Sequence, residues 1–273
     1  MLMAVYVGEN SKFFEQSIES MLAQTVPANE FVLVCDGPLT VELDAVIARY
    51  EESHSRILNV VRLDSNVGLA AALNIGLQHC TNDLVARMDS DDIANPIRMK
   101  QQLDAMGDAD IIGCAVAEFM SKPGDLKSIR QLPTSHEEII CFARRRNPFN
   151  HPSVLYKKSI VQQVGGYEDF PLCEDYQLWV KMFIHGCKAV NIPESLINMR
   201  VGSGLYRRRG GFKYFKTMYS FRRWMRQVGF SGLMDFWICV TGHLVSCFIP
   251  SIVRRWVYSC FFRMRGPDKN QTG

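Results

Sequence analysis

The sequence contains 273 residues and has a formal net charge of +3, a length that allows one α/β domain with an additional segment. Apolar residues make up 47% of the chain and charged residues 22%, and this ordinary balance excludes a wholly disordered protein. The charge is unevenly distributed. Residues 1–199 hold 17 basic and 26 acidic side chains, whereas residues 200–273 hold 14 basic and two acidic side chains. We therefore expect an anionic partner for the C-terminal segment, either lipid headgroups or nucleic acid.

Short apolar runs alternate with helical periods over the first 114 residues. Strands are predicted at residues 2–7, 31–35, 57–63, 84–88 and 110–114, with helices between them. Apolar residues fill these runs without alternation, as they do in strands that are buried on both faces. The pattern predicts an α/β fold with a doubly wound, mostly parallel sheet.

The pattern changes after residue 114. A hairpin is predicted over residues 115–130 and helices over 135–145 and 173–186, and from residue 210 onward the chain is basic, aromatic and helical in period. The nine cysteines include no C-x-x-C pair, and the N-terminus lacks the basic region and cleavage site of a signal peptide. We therefore expect a protein that faces a reducing cytosol.

Acidic residues follow three of the predicted strands. They are Asp36, Asp64 and the cluster Asp89-Ser90-Asp91-Asp92. In open α/β sheets, ligands bind outside the carboxyl ends of the strands. Carboxylates within four residues repel one another, and a cation offsets that cost. A diphosphate bridged by Mg²⁺ or Mn²⁺ is a ligand that suits one or two carboxylates with further oxygen ligands.

A solvated acidic loop is the alternative interpretation of the cluster, with Asp92 or Asn95 serving only as the cap of the next helix. A second acidic pair, Glu174-Asp175, stands far along the chain at the start of a predicted helix. The helix dipole favours a carboxylate there, so capping explains one of the two. An inverting displacement at a sugar carbon needs a metal at the departing diphosphate and a separate general base on the opposite face. The two acidic groups together fit that requirement.

Seven short motifs occur in order along residues 1–200. They are Ala4-Val5-Tyr6 with Gly8, Cys35-Asp36-Gly37, Asn66-Val67-Gly68, Asn74-Ile75-Gly76, Asp89-Ser90-Asp91-Asp92, Gly165-Gly166-Tyr167 and Glu174-Asp175-Tyr176. This order and spacing resemble the family 2 glycosyltransferases, which have the GT-A fold. The segment at residues 147–153 further resembles bacterial enzymes of O-antigen and exopolysaccharide assembly, which extend a sugar held on undecaprenyl diphosphate.

The resemblance implies a catalytic domain at residues 1–205, with a nucleotide-binding half at 1–114 and an acceptor-binding half at 115–205. It implies Mn²⁺ or Mg²⁺ as the cofactor and Asp175 as the catalytic base, with Glu174 holding the acceptor or orienting the base. Cys35 precedes Asp36 where the family often has a second aspartate. The remaining implied roles are nucleotide-sugar binding by Val5, Tyr6, Asp36, Asn66, Gly68, Asn74 and Asp89, metal binding by Asp91 with Asp89, and diphosphate binding by Arg207. His151 is a candidate for contact with the acceptor diphosphate or the metal, and a hydrogen-bonded structural histidine is the alternative.

Residues 236–253 contain no Lys, Arg, Asp or Glu. The length of this uncharged stretch is at the threshold for a membrane-spanning helix. Polar residues and Pro250 interrupt this stretch, and basic residues flank it on both sides. This arrangement favours a segment that lies in the membrane interface. We expect residues 206–273 to form a helical extension on the cytoplasmic face of the bacterial inner membrane, peripheral or monotopic. The alternative is a helical subdomain that packs on the catalytic core.

By resemblance, the expected reaction moves a hexose from UDP-Gal or UDP-Glc onto a sugar of the GlcNAc-diphosphate-undecaprenol type and forms a β-1,3 linkage. A sugar nucleotidyltransferase is the first alternative, but that class carries a glycine-rich basic loop after the first strand, where this chain has Gly8-Glu9. A non-enzymatic protein that binds membrane or nucleic acid is the second alternative. The uncharged stretch suits lipid better than bases, so no nucleic-acid partner is expected.

Overall fold

The computed structural model describes residues 1–202, 211–248 and 264–265. Strands and helices alternate over the first 88 residues, as predicted. The elements are β1 (Leu2–Tyr6), α1 (Ser11–Leu22), β2 (Phe31–Asp36), α2 (Val41–Ser53), β3 (Leu58–Arg62), α3 (Leu69–His79) and β4 (Leu84–Met88). β1 lies between β2 and β4 and β3 lies beyond β2, all in parallel register. These four strands form the parallel part of the sheet.

The sheet continues as a mixed sheet through the rest of the chain. Its elements are β5 (Ile93–Ala94), α4 (Arg98–Met106), β6 (Ile111–Phe119), β7 (Ser128–Arg130), α5 (His136–Ala143), β8 (Leu155–Lys157), α6 (Lys158–Gln163), α7 (Glu174–Ile184), β9 (Ala189–Arg200), α8 (Gly211–Gln227), α9 (Leu233–Phe248) and β10 (Met264–Arg265). β8 is antiparallel to both β4 and β6 and joins them. β6 runs parallel to β9 and antiparallel to β7, and β7 also pairs with β10.

Two hydrophobic cores lie on opposite faces of the sheet. Successive side chains of a strand point to opposite faces, so within β2 Leu33 and Cys35 join the core beneath α1, α2 and α4, whereas Val32 and Val34 join the core beneath α3, α5 and α7. All four side chains are almost fully buried. Burial on both faces explains why the strand lacks the polar alternation of a half-exposed strand.

The structure differs from the sequence-based elements mainly in the second half. The fifth predicted strand, at residues 110–114, extends through Phe119 and forms the first strand of the expected hairpin with β7. The strands β5 and β8 were not predicted, because two or three residues are too few for a periodic pattern. The predicted domain boundary at residue 205 lies outside the described residues.

The predicted C-terminal helices are present as α8 and α9, and α8 packs against α7. Tyr176 and Val180 of α7 form a third core with Met218, Phe221 and Met225 of α8. In the part of the chain that the structure describes, no helix combines the length and apolarity needed to cross a bilayer.

Gly76 provides a test of the packing between α3 and the sheet. A Cβ atom added at this residue would lie 2.4 Å from Leu2 Cδ1 and 2.8 Å from Val34 Cγ2. Alanine normally stabilises a helix interior by about 1 kcal/mol relative to glycine, but overpacking costs about 1–3 kcal/mol. We therefore expect Gly76→Ala to lower the free energy of unfolding, measured by denaturant titration.

The matched control for this substitution is Gly242→Ala in α9, where an added Cβ would meet no atom within 4 Å. This control variant should be as stable as the parent or more stable. A Gly76→Ala variant that unfolds at the same denaturant concentration as Gly242→Ala would contradict the close approach of α3 to β1 and β2.

Candidate active site

The carboxyl end of β2 holds a folded turn through the side chain of Asp36. Its Oδ1 atom accepts a hydrogen bond from the Val67 N–H at 2.7 Å, and its Oδ2 atom accepts from the Gly68 N–H at 3.1 Å. The Asn66 side-chain amide donates to the same Oδ2 at 3.0 Å. Gly37 permits this approach, because its φ is +87° and an added Cβ would lie 2.6 Å from Asn66 N. The turn is therefore fastened to the end of the strand.

A cavity of about 260 Å³ lies between this turn and the end of β1. Tyr6 is half-exposed at the rim, and its ring offers a flat surface on which a planar base can stack. Five of the residues predicted to bind the nucleotide surround this one cavity, so the structure brings them together. The cavity is lined by Ala4, Val5, Tyr6, Asp36, Asn66, Gly68 and Leu69.

Asn74, which we predicted to bind the nucleotide sugar, forms two hydrogen bonds with the backbone of Tyr167. Its Nδ2 atom donates to the Tyr167 carbonyl at 2.7 Å, and its Oδ1 atom accepts from the Tyr167 N–H at 2.9 Å. An added Cβ at Gly166 would lie 2.5 Å from the same Oδ1. Asn74 therefore fixes the Gly165-Gly166-Tyr167 turn against α3, and it is absent from the lining of the nucleotide-sized cavity.

The acidic cluster follows β4 directly. Asp89, Asp91 and Asp92 each offer an oxygen within 4.8 Å of the others. Burial raises the pKa of Asp91 to about 7, and the charges of Asp89 and Glu9 act in the same direction. Burial also raises the pKa of Asp92 well above its ordinary value, again with the neighbouring aspartates contributing. The interacting carboxylates are those of Glu9, Asp89, Asp91 and Asp92. The surrounding positive charges do not fully compensate their negative charge.

Arg87, two residues before the cluster, is buried beneath it. Its Nη2 atom forms an ion pair with Asp89 Oδ1, and its side chain is 2% exposed. The Nε and Nη1 atoms of Arg87 are also buried and have no hydrogen-bond partner among the described residues. A buried arginine is rare without a partner anion. We did not predict Arg87, although a charged residue inside the apolar strand β4 was a visible signal.

Arg200, at the end of β9, holds the other side of the cluster. Its backbone N–H donates to Asp92 Oδ1 at 2.7 Å, and its Nε atom donates to the Asp91 carbonyl at 3.0 Å. The guanidinium also lies 3.6 Å from the centroid of the Phe13 ring. The alternative interpretation made Asp92 the cap of the next helix. In the structure, Asp92 accepts a hydrogen bond from Arg200 instead. No side chain caps α4, and Asp92 Oδ2 has no partner among the described residues.

The cluster fits a divalent cation on these grounds. Three carboxylates supply the oxygen ligands that Mg²⁺ and Mn²⁺ prefer. Because burial and the neighbouring carboxylates raise the pKa values of Asp91 and Asp92, a nearby positive charge would favour the ionised form of both. The unpartnered oxygen of Asp92 provides a further ligand atom.

The second acidic pair opens α7. Asp175 Oδ2 accepts from Asn147 Nδ2 at 2.7 Å, and Asp175 Oδ1 accepts from the Tyr176 N–H at 2.7 Å. Burial nevertheless raises the pKa of Asp175. Burial also raises the pKa of Glu174, and the charge of Asp175 adds to that shift. A carboxylate with a raised pKa that is held by two donors has the properties of a general base.

The loop that precedes α7 has one unusual backbone conformation. Leu172 has a φ of 67°, in the left-handed region that non-glycine residues rarely occupy. Such a residue costs of the order of 1–3 kcal/mol and occurs disproportionately at functional sites. The conformation brings the chain into α7 directly before Glu174 and Asp175.

His151, which we predicted to contact the acceptor or a diphosphate, has a structural environment. Its Nε2 atom lies 3.2 Å from the Tyr167 hydroxyl, and its ring packs edge-on to Trp179. Burial lowers the pKa of His151 well below its ordinary value, with the nearby Arg87 charge as a second cause. The ring is therefore neutral at physiological pH and supplies no charge to a diphosphate. The predicted Arg207 lies outside the described residues.

Comparisons with known proteins agree with this geometry. The family model described as glycosyl transferase family 2 matches residues 2–165. The chain is 37% identical over 271 residues to the UDP-Gal:alpha-D-GlcNAc-diphosphoundecaprenol beta-1,3-galactosyltransferase of Escherichia coli, with coverage of 96% of this chain and 95% of that relative. It is also 37% identical over 235 residues to the amylovoran biosynthesis glycosyltransferase AmsE of Erwinia amylovora, with coverage of 84% and 87%.

The mannosyltransferase PcManGT from Pyrobaculum calidifontis, solved in complex with GDP-Man and Mn²⁺, has a similar structure. The TM-score is 0.62 at 16% sequence identity, over 95% of this chain and 74% of that one. At this identity the likeness concerns the fold alone, and it confirms the expected α/β fold of the GT-A type.

Asp91→Asn tests the charge excess of the cluster. The folded protein holds a proton on Asp91 up to about pH 7, whereas an unfolded aspartate releases it near pH 3.9. Stability without metal therefore falls as the pH rises between these values. In chelator at pH 8, Asp91→Asn should raise the melting temperature by about 2 °C or more. Mn²⁺ should stabilise the parent and leave the variant unchanged.

The matched control is Asp64→Asn, which removes an exposed carboxylate outside the cluster. This control should change neither the melting temperature nor its response to Mn²⁺. Equal melting temperatures for Asp91→Asn and the parent in chelator would refute the proposed charge excess at residue 91.

Proposed function

Because the chain belongs to glycosyl transferase family 2, we propose that it transfers a hexose from a UDP-sugar to a saccharide linked to a lipid diphosphate, with inversion at the sugar carbon. UDP-galactose is the first candidate donor and UDP-glucose the second. The proposed product is a β-1,3 linkage to GlcNAc on undecaprenyl diphosphate, in the assembly of O-antigen or another surface polysaccharide. The 37% identity to a galactosyltransferase with that specificity, over nearly the whole chain, carries this proposal.

The nucleotide is proposed to bind in the cavity between β1 and the turn at residues 66–68. Tyr6 stacks on the base, and the carboxylate of Asp36, already oriented by the turn, contacts the uracil or the ribose. Val5, Asn66 and Gly68 complete the wall. Asp89, which lies with Asp91 and Asp92 in the acidic cluster, is proposed to contact the ribose or the sugar of the donor.

Asp91 is the proposed principal metal ligand, and Asp89 assists it. When bound there, Mn²⁺ or Mg²⁺ would stabilise the negative charge of the departing diphosphate. Arg87 acts as a positioning residue, because its ion pair leaves Asp89 only one free oxygen and restricts how that carboxylate can turn. Arg200 positions Asp92 and the loop backbone in the same way from the opposite side.

Asp175 is the proposed catalytic base. It takes the proton from the acceptor hydroxyl while that oxygen forms a bond to the anomeric carbon. The bond from the anomeric carbon to the diphosphate oxygen breaks on the opposite face, and UDP leaves with the bonding electrons. Glu174 is proposed to hold a second acceptor hydroxyl. Asn147 orients Asp175 and stabilises its ionised form.

The proposed location is the cytoplasmic face of the bacterial inner membrane, where a lipid-linked acceptor is held. Two alternatives from the sequence lose their support. A sugar nucleotidyltransferase and a non-enzymatic binding protein both conflict with membership of a glycosyltransferase family that matches residues 2–165.

The decisive experiment for the proposed function measures transfer from a panel of UDP-sugars to a synthetic GlcNAc-diphosphate-lipid. We expect UDP-galactose to be the best donor, with product formed in Mn²⁺ and lost in chelator, and with a β-1,3 linkage by NMR. The control acceptor carries GlcNAc on the same lipid without the diphosphate. Transfer that is equally fast with UDP-GlcNAc, or a product with an α linkage, would refute the donor or the inverting course.

Asp175→Asn and Asn147→Ala separate the base from the residue that positions it. Asp175→Asn should lower kcat by about 10²–10⁴-fold, with UDP binding unchanged by calorimetry. Asn147→Ala removes a hydrogen bond that lowers the pKa of Asp175. That pKa should therefore rise, and the acidic limb of the kcat/KM profile should move to higher pH.

Asn59→Ala, at an exposed residue of β3, is the control for the amide substitution and should leave the pH profile unchanged. An Asn147→Ala variant with uniformly reduced activity at every pH would assign Asn147 a purely structural role. An Asp175→Asn variant with substantial turnover would place the base elsewhere.

A further inference from the structure

The outer face of α8 carries a basic and aromatic stripe. Phe212, Lys216, Tyr219, Arg223 and Arg226 recur every three or four residues, so they share one face of the helix, and all are exposed. Within residues 1–202 and 211–248, no carboxylate forms an ion pair with any of the three cations. These charges are therefore free to meet an anion.

The outer face of α9 carries an apolar stripe. Met234 is 73% exposed, Trp237 55% and Val245 62%. Ile238 and Leu244 continue the same face, and both are exposed. Exposed apolar side chains on one face of this 16-residue helix are costly in water, and such surfaces mark interaction sites.

A groove of about 470 Å³ connects the two stripes. Arg223 and Arg226 line one side and Phe236 and Trp237 the other, with Tyr219 against Phe236 in an edge-on contact at 5.8 Å. Guanidinium groups bind phosphate through paired N–H donors. Tryptophan favours the headgroup level of a bilayer, where its ring is in apolar surroundings and its N–H in polar ones.

We propose that the α8–α9 hairpin docks on an anionic lipid bilayer, with lipid phosphates in the groove beside Arg223 and Arg226 and the α9 stripe among the upper acyl chains. This inference deepens the proposed function and rests on it for the source of the acceptor. Charge complementarity supports the choice of partner, because residues 211–248 hold five basic residues and one acidic residue. That acidic residue, Asp235, is neutralised by an ion pair with Arg145. A basic face beside an apolar face is typical of a helix that lies in the membrane interface.

The inner side of the hairpin is fastened to the helix that carries the proposed base. Arg222 Nη1 donates to the Tyr176 hydroxyl at 3.2 Å, and Arg222 Nη2 donates to the Arg145 carbonyl at 2.7 Å. Tyr176 follows Asp175 directly in α7. Docking of the hairpin would therefore hold the base beside the surface in which a lipid-linked acceptor is embedded.

The test uses the full-length protein and sedimentation with vesicles that contain phosphatidylglycerol, compared with vesicles of phosphatidylcholine alone. The parent should be retained on the anionic vesicles and released by salt. The double variant Arg223→Gln with Arg226→Gln should weaken retention by about tenfold or more, since each basic residue near an anionic surface contributes appreciably. Met234→Ser with Trp237→Ser should weaken retention on both kinds of vesicle.

The matched control is Arg56→Gln with Val41→Ser, which removes one exposed cation and one exposed apolar side chain from another part of the surface. Retention of the control at the parent level supports the proposal. Retention of all the variants at the parent level would overturn it. Binding of the parent to single-stranded RNA that the arginine double variant loses, without retention on anionic vesicles, would also overturn it.

Activity measurements separate this proposal from the proposed function. The hairpin variants should transfer hexose to a GlcNAc-diphosphate acceptor on a short water-soluble chain as fast as the parent, and more slowly to the same acceptor in vesicles. If the hairpin variants transferred hexose to both acceptors as fast as the parent does, the proposed role of the hairpin would be refuted. The proposed transferase activity would not be affected by that result. A parent that is retained on vesicles but transfers no hexose would refute the proposed function alone.

Discussion

The repulsion among the carboxylates after β4 is the constraint on which the site depends. Asp89, Asp91 and Asp92 lie within reach of one cation, and without positive charge their ionised forms would repel one another. Two arginines reduce this cost from below and from the side. Arg87 pairs with Asp89 inside the sheet, and Arg200 binds the other end of the loop. Negative charge remains uncompensated at Asp91 and Asp92, because the pKa values of both carboxyls stay raised. This residual charge favours a cation at the cluster.

The fold positions these charges through long-range contacts. Arg87 can be buried because β8 joins β4 to β6, and Arg87 donates its backbone N–H to Val154 at 2.9 Å. Arg200 reaches the loop because β9 lies beside β6 and β5. The parallel part of the sheet thus supplies the acidic residues at strand ends and Arg87 of β4, and the mixed part supplies Arg200 of β9.

The separation in sequence between contacting residues explains which parts of the site could be predicted. The strand ends at Asp36 and Asp89 were readable, because buried strands are continuous apolar runs and ligands collect at their carboxyl ends. The role of Arg200 could not be predicted, because its hydrogen bond to Asp92 joins residues that are 108 positions apart in sequence. Asn74 was assigned to the nucleotide sugar through the resemblance, and His151 was assigned either to a ligand or to a structural role. In the structure, both polar atoms of the Asn74 side chain form hydrogen bonds with the Tyr167 backbone. Burial lowers the pKa of His151 and so favours its neutral form.

Asp175 is subject to opposing effects that suit a base. Burial raises its pKa, whereas hydrogen bonds from Asn147 and the first turn of α7 favour its charged form. A carboxylate under the second effect alone would be too weak a base, and one under burial alone would be protonated. The helix that sets this balance is also the one to which Arg222 fastens the α8–α9 hairpin. Because Tyr176 takes part in both contacts, a shift of the hairpin would reach the residue next to the proposed base. The proposed docking surface and Asp175 are therefore connected through one residue.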